Sequence, residues 1–596
     1  MEVLAFEPTL PSCGICPNLI DMSLFHAARQ KTFHTLVWLL RPLMPVLVRW
    51  PLAWRVRAAF FKQLRPEAWL KRYGPDWSAP LLTARNVAVL ADVRGAPPED
   101  RTRLADGLAR QTQAPIVILT LDDEKDHRSL SKAIPETCLT REGGVLYIDA
   151  ASHPHPLMVA HFAAAMDMSP EAALWYADEV QSGPDGKMKV FCKPAWDPLY
   201  FNYSGYVGNC FVLRGDLARR ILDPGGSPVQ KIPDFITPKT APFVSEEKRQ
   251  GGPAKNPLFV KALQHLQGEA IGHLPIPLRA APAISLPPKA EEFNAAARAL
   301  KILTTRPKVD IIIPFRDRLD LLRPCLESLL AVTDYPDWGV ILVDNGSRDP
   351  DILAYLNSPP DRRIRVLRHD APFNFSTLVN LGAKASLSEI LVLLNNDITA
   401  ISATWLQALV ARVIQPQVGC VGAKLLYPNG LVQHAGILCG AGMKLDVYNP
   451  PGHAHAGWPG DSIGYFGLLN SPRIISAVTG AALAVSRDLF FQLGGFDENL
   501  TVALNDIDFC LKSWSAGRCC VWTPESVLVH HESASRKMDI SDPQKRERLR
   551  QEWALMKSRW GDRLDEDPWY NPNLSTDSTY ELSDPPRSRR PRLIKL

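Results

Sequence analysis

The apolar run Leu391–Leu394 stops on three polar residues, Asn395, Asn396 and Asp397, with nothing local to pair with. Two other apolar runs end in the same way: IIIPF on Arg316 and Asp317, and VILV on Asp344 and Asn345. A single Asp after a strand ordinarily caps the next helix. Several polar residues gathered from different strands can instead hold a ligand, because open parallel sheets bind ligands outside the carboxyl ends of their strands. Further along, LNDIDFCLKSWSAG puts Asp506 in the N-terminal turn of a helical pattern, and VLVHHES ends a strand on His530 and His531. Paired histidines are usually surface or core features, and Asp506 alone could be an N-cap.

The elements that must carry these residues form two series. From Asn86, NVAVLADV, APIVILTL, GVLYIDA and AALWYAD read as strands, separated by helical stretches such as Pro98 to Arg110 and LMVAHFAAAM. The second series begins at Val309. VDIIIPF is a buried strand, and DLLRPCLESLL places Leu322, Leu326, Leu329 and Leu330 at helical spacing. GVILVDNGS, IRVLRHD and EILVLLNND follow as strands, with a helix from Ser376 to Ala385 between the last two and the amphipathic ATWLQALVARVI after them. Strands alternating with helices imply mainly parallel sheets. The shared order hints at a duplicated module. The expected class is α/β, two tandem modules with helical terminal extensions: a proline-broken helical region over 1–82, modules over 83–300 and 305–545, and a charged helix with a flexible basic tail over 546–596. Gly-, Pro- and Lys-rich loops lie between Gly225 and Asn256, and Ala280 to Glu292 reads as a linker.

Composition narrows the partners. With 596 residues and 46% of them hydrophobic, the chain is too long for one ordinary domain. Its 67 basic and 63 acidic residues leave a charge of only +4, which argues against a nucleic-acid partner. Eleven cysteines have no disulfide framework, as expected of reduced thiols in the cytoplasm. Cys13 and Cys16 have half-zinc-site spacing but no second pair follows. The stretch 34–61 is broken by Arg41, Arg49, Arg55, Arg57 and three prolines, short of the roughly 20 clean apolar residues that span a bilayer. It reads equally as an element lying on a membrane surface, a peripheral contact, or as a hairpin packed on the protein.

The three strand ends, in this order and spacing, resemble the donor half of a family 2 glycosyltransferase of the GT-A (Rossmann-like) fold, over roughly Val309 to Ser535. The resemblance implies that Pro314, Arg316, Asp344 and Asn345 line a nucleoside pocket, Asp344 facing the base, and that Asn395-Asn396-Asp397 occupies the place of the DxD motif. A departing nucleotide diphosphate carries charge that a hard divalent cation, Mg²⁺ or Mn²⁺, neutralises, and Asp397 is the expected ligand. Asn395 stands where the first Asp often is, and related rhamnosyltransferase-like sequences also carry NND. In ISAVTGAALAV, Thr479 and Gly480 let a pyranose approach the backbone.

GGFDE and NDID then resemble the acceptor-site motif, which aligns Asp506 with the catalytic carboxylate. A sugar hydroxyl is a poor nucleophile, and a base must take its proton on the face opposite the leaving diphosphate. Asp508 points about 200° away around a helix; it suits a structural or helix-dipole partner and is also grouped on the acceptor side. His531, with His530 as alternative, is implied to reach the diphosphate or its metal, and Arg536 and Lys537 its phosphate oxygens. Between the halves, His434, His453, His455, Trp458 and Tyr465 suit sugar recognition; GHAHAG resembles a metal site but lacks a third fixed ligand, so an acceptor-side loop is preferred.

The first series resembles a second, eroded module of the same kind. LYIDAAS leaves Asp149 alone, Asp178 and Glu179 follow in ALWYADEV, and nothing matches GGFDE or NDID. The expected activity is inverting transfer of a sugar from a nucleotide-diphosphate donor to a saccharide or lipid-linked glycan acceptor of a surface polysaccharide. The alternative is a catalytically inactive glycan-binding scaffold.

Overall fold

The computed structural model describes residues 65–75, 83–122, 132–182, 186–222, 256–282, 306–442, 451–531, 542–588 and 590–595. The element at 34–61, Cys13, Cys16, loop 225–255, the linker beyond Pro282, Arg536 and Lys537 lie outside the described residues. The described residues from Tyr73 onward form one compact unit, and residues 65–72 belong to another.

Two sheets make up the larger unit. In the first, β1 (Val87–Asp92), β2 (Val117–Leu121), β3 (Gly144–Asp149), β4 (His153–Pro154), β5 (Ala172–Ser182), β6 (Cys210–Arg214) and β7 (Ala270–Pro282) give the path β2-β1-β3-β6-β5-β7, with β6 antiparallel to both neighbours. In the second, the strands are β8 (Val309–Phe315), β9 (Trp338–Asp344), β10 (Ile364–Arg368), β11 (Ile390–Leu394), β12 (Ile398–Ala400), β13 (Val418–Leu426), β14 (Ala482–Ser486) and β15 (Cys519–His530). Their order is β10-β9-β8-β11-β14-β13-β15-β12, with β14 antiparallel to β11 and β13.

Without β10, the second path repeats the first strand for strand. The repetition reaches small details. β4 follows β3 and pairs antiparallel with β7, just as β12 follows β11 and pairs antiparallel with β15.

The mixed α/β class expected from the pattern is the one observed, and the reason is visible in β8. All seven of its residues are buried, because helices cover both faces of a parallel sheet and its strands become continuous apolar runs. Each buried Ile, Leu or Val contributes about 1.5–3 kcal/mol. Asp310, within this run, is tolerated because Arg365 at 2.9 Å and Ser386 Oγ at 2.7 Å take its carboxylate. Helix α1 (Leu319–Val332) lays Leu322, Cys325, Leu326 and Leu329 on the sheet. Helix α2 (Phe375–Ala385) is capped by Asn374, whose side chain accepts the Thr377 N–H.

Helices α3 (Asn505–Ser515) and α4 (Pro543–Trp560) also form as expected. The tail does not stay loose. β16 (Arg592–Lys595) adds to the first sheet, antiparallel to β7, with Arg592 opposite His273 and Ile594 opposite Ile271. Its basic neighbours hid an apolar Leu-Ile core, and Ile594 is 1% exposed.

Candidate active site

The carboxyl edge of the second sheet collects the strand ends. β11 delivers Asn395, whose N–H donates to Ala481 O at 3.1 Å. This bond ties the NND turn to the Thr479–Gly480–Ala481 turn before β14. In that turn, Gly480 N–H donates to Asp506 Oδ2 at 2.8 Å. Two hydrogen bonds thus place the triplet, the small-residue turn and the first turn of α3 on one strip. A side chain on Gly480 would sit 3.4 Å from Asp506 Cβ and 3.9 Å from the Phe375 ring, so Phe375 walls the same place.

Asp506 is aimed from several sides. Its Oδ1 accepts the Ile507 N–H at 2.8 Å, and its own N–H donates to Asn505 Oδ1. Leu504, at φ 66°, turns the chain into α3. From α2, Ser376 Oγ donates to Leu500 O, Asn374 Nδ2 donates to Glu498 O, and Asn380 Nδ2 to Phe496 O. From α4, the Glu552 carboxylate accepts from Thr501 Oγ1 and the Val502 and Ala503 N–H groups. No local signal in the sequence marks Glu552 for this task.

The histidine beside the triplet is His530. Its Nε2 lies 3.0 Å from Asp397 Oδ1, and its Nδ1 meets Gln433 Oε1 at 2.7 Å. His531 faces the other way and meets Thr399 Oγ1 at 3.0 Å. The correction rests on strand geometry: side chains alternate between faces, and His530 is the residue in register with Ile398, next to Asp397. Asp397 and His530 together present one carboxylate oxygen and one imidazole nitrogen. That donor set fits a divalent cation that tolerates nitrogen beside oxygen.

At the neighbouring strand ends, Asp344 is fully buried, with Oδ1 accepting the Ser347 N–H and Oδ2 paired to Arg368, both at 2.9 Å. Asn345 Nδ2 donates to the carbonyls of His369 and Ala371. Its Oδ1 is buried without a hydrogen-bond partner. Pro314 is buried within β8, opposite Val343, while Arg316 is exposed. Asp317 does not cap α1: at φ 49° its carboxylate accepts the N–H groups of Asp349 and Arg348 in the loop after β9, which hold it below the usual range.

The acceptor-side expectations need correction. Asp508 is fully buried and bound by Arg559 at 2.5 Å, Lys512 at 2.8 Å and the Trp560 indole N–H at 2.9 Å. It anchors α4 to α3. Tyr465 uses its hydroxyl to accept the Cys192 N–H of the first module at 3.0 Å. Its ring stacks on Tyr580, and the adjacent Phe466 stacks on Phe191 at 4.0 Å. Trp458 packs edge-on against His455 and Tyr580. The aromatic loop is therefore a joint, because its apolar faces and hydroxyl are taken up by the first module and by Tyr580 of the C-terminal segment. Of its histidines, His434 and His455 are buried.

A buried acid, Asp197, links the two modules at this joint. Asp197 accepts from Leu199 and Tyr200 at the start of the short helix Pro198–Ser204, and from Ile474 N of the second module at 2.9 Å. Burial pushes its pKa up to about 7. The folded chain thus keeps a proton that the unfolded chain releases near pH 4. Its stabilising contribution is complete below about pH 4 and is lost as pH rises through about 7. Asp197→Asn is expected to flatten the decline of the unfolding midpoint over that window, as read by thermal scans at a series of pH values.

In the first module the equivalent edge is closed. The register that sets Asp397 one residue before Ile398 sets Ser152 before His153. Arg279 donates to Ser152 Oγ and pairs with Glu179 at 2.7 Å and Asp149 at 3.5 Å. Lys193 also meets Glu179, at 2.8 Å and buried. A buried guanidinium thus binds Ser152, the register counterpart of Asp397. The C-terminal segment seals this module further, since Asn571 and Asn573 both donate to the buried Asp178.

Comparison with known proteins adds to this geometry. Residues 310–435 match the model of glycosyl transferase family 2. The chain is 46% identical over 292 residues to an uncharacterized protein, y4gI, of Sinorhizobium fredii, covering 48% of this chain and 31% of that one. It is 32% identical over 498 residues to the O-antigen biosynthesis protein RfbC of Myxococcus xanthus, covering 79% of this chain and 36% of the relative. Over 231 residues it is 28% identical to N-acetylglucosaminyl-diphospho-decaprenol L-rhamnosyltransferase of Mycobacterium tuberculosis, covering 36% of this chain and 73% of that enzyme. The chain spans about a third of the length of the first two relatives. Among the described residues no helix is long and apolar enough to cross a membrane.

Proposed function

We propose, from the match of residues 310–435 to the model of glycosyl transferase family 2, that this chain transfers a sugar from a nucleotide-diphosphate donor to a saccharide acceptor of a surface polysaccharide, with inversion at the anomeric carbon. The observation that carries the reading is the strip joined by Asn395 N–H to Ala481 O and Gly480 N–H to Asp506. It sets a metal-type carboxylate and a base-type carboxylate on two sides of a turn with little side-chain bulk.

Each residue then has a task. Asp506, its carboxylate fixed by two backbone N–H groups, takes the proton of the acceptor hydroxyl as the bond to the sugar forms. Gly480 and Thr479 leave space for the ring, and Phe375 offers it a flat apolar wall. Asn345 supplies an acceptor to the nucleoside through its free Oδ1, and Arg316 is exposed for phosphate. Asp397 and His530 would hold Mg²⁺ or Mn²⁺, which when bound supplies positive charge to the leaving diphosphate. Gln433 fixes the His530 ring so that Nε2 faces Asp397. A lipid-linked acceptor, as in the mycobacterial relative's name, would bring the chain to a membrane surface from the cytoplasmic side.

The test uses the full chain against nucleotide-diphosphate sugars, with thermal stabilisation read with and without Mn²⁺, since a bound donor raises apparent stability by mass action. Stabilisation by one donor class that needs the metal and is followed by nucleotide release supports the reading. Stabilisation by glycans alone, with no donor effect, would support the scaffold alternative. His530→Gln is expected to raise the Mn²⁺ concentration for half-maximal nucleotide release about 10–100-fold, while His531→Gln leaves it unchanged. A metal titration of the two variants side by side checks this.

A further inference from the structure

Behind the Asp506–Gly480 contact, three cysteines meet in the core. Cys420 of β13 and Cys520 of β15 are register partners on adjacent parallel strands. Cys510 comes down on them from α3, one turn after Asp506. All three are fully buried and none forms a disulfide. Their sulfurs lie within 4.8 Å of one another, with no His, Asp or Glu completing a fourth position among the described residues.

We propose that Cys420, Cys510 and Cys520 form a three-coordinate sulfur site for a trivalent thiophilic ion, with arsenite as the probe. Ligand number argues first: structural zinc takes four ligands, and the cluster offers three. Ligand softness argues second, since thiolates select soft ions over Mg²⁺ or Mn²⁺. Net charge decides between soft ions. Leaving an unpaired charge in a dry core costs several kcal/mol. Three thiolates around a monovalent or divalent ion leave a net negative charge, whereas around a trivalent ion they leave none.

The loading step balances without any redox partner. Arsenous acid, As(OH)₃, exchanges its three As–O bonds for three As–S bonds, each thiol proton leaves in one of three waters, and arsenic stays trivalent. Sulfurs bound at about 2.3 Å to one pyramidal centre stand less than about 4 Å apart, within the 4.8 Å that bounds the present spacing. The site also touches the catalytic strip, because Cys510 Sγ lies 3.5 Å from Val478 N, two residues before Gly480.

The full chain is incubated with sodium arsenite under reducing conditions and its intact mass measured. The expected product gains one arsenic and loses three hydrogens, with a raised unfolding midpoint. Cys420→Ala, Cys510→Ala and Cys520→Ala are each expected to abolish that adduct, and a Cys13→Ser/Cys16→Ser double variant to keep it. Persistence of the adduct in Cys510→Ala, its loss in the double variant, loss of only two hydrogens, or no uptake would each overturn the proposal. Should a core variant fail to fold, arsenic-edge X-ray absorption of the wild-type adduct decides: three sulfur neighbours support the site, and two sulfurs with an oxygen overturn it.

Discussion

Replacing Asp506 by Asn is expected to lower turnover roughly 10²–10⁴-fold, the range lost with a general base, while the unfolding midpoint moves little. Both carboxylate oxygens accept backbone N–H groups, from Ile507 and Gly480. An amide keeps one acceptor and turns its NH₂ toward the other donor, so one hydrogen bond worth about 1 kcal/mol is lost. Donor binding should persist, since the proposed role of Asp506 lies on the acceptor side of the Gly480 turn. Nucleotide release with and without acceptor, beside donor-induced thermal stabilisation, separates the two steps. Unchanged turnover would exclude Asp506 as the base.

The largest stability effect is expected at Asp508. Asp508→Asn removes a fully buried charge from Arg559, Lys512 and Trp560 at once. Breaking a buried pair from one side costs about 3–5 kcal/mol. The lower end applies, about 3 kcal/mol, because Arg559 is 29% exposed and can turn to water. Arg559 also holds Asp497 of the GGFDE stretch at 2.6 Å, so loosening α4 should disturb the loop it clamps. Denaturation midpoints of the variant check the stability loss. An acceptor-binding role would instead show as a raised KM for acceptor with the midpoint intact, and that outcome would return Asp508 to the acceptor site.

How far the sequence could be read depended on whether residue type and place were bound together. β8 was legible because seven successive buried positions admit little besides an apolar strand. Asp506 and Asp397 stood out because they follow element boundaries that periodicity marks well. His530 and His531 are identical in type, and only the register with β12 tells which faces Asp397. Trp458 and Tyr465 show the opposite difficulty: an aromatic ring suits a sugar or a neighbouring domain equally, and the sequence does not display the Cys192 and Tyr580 surfaces that meet them. Glu552 lies about 50 residues from the N–H groups it binds, a separation no local pattern spans.

The strand at Arg592–Lys595 bears on how the chain assembles. Its partner Ala270–His273 precedes the whole of the second module, so this pairing can form only after everything between has been made. Such distant pairing slows closure, and an exposed strand edge meanwhile invites pairing with other chains. During synthesis the first module should pass through a long-lived, open-edged form, and cutting the two modules apart would strip that edge of its cover for good.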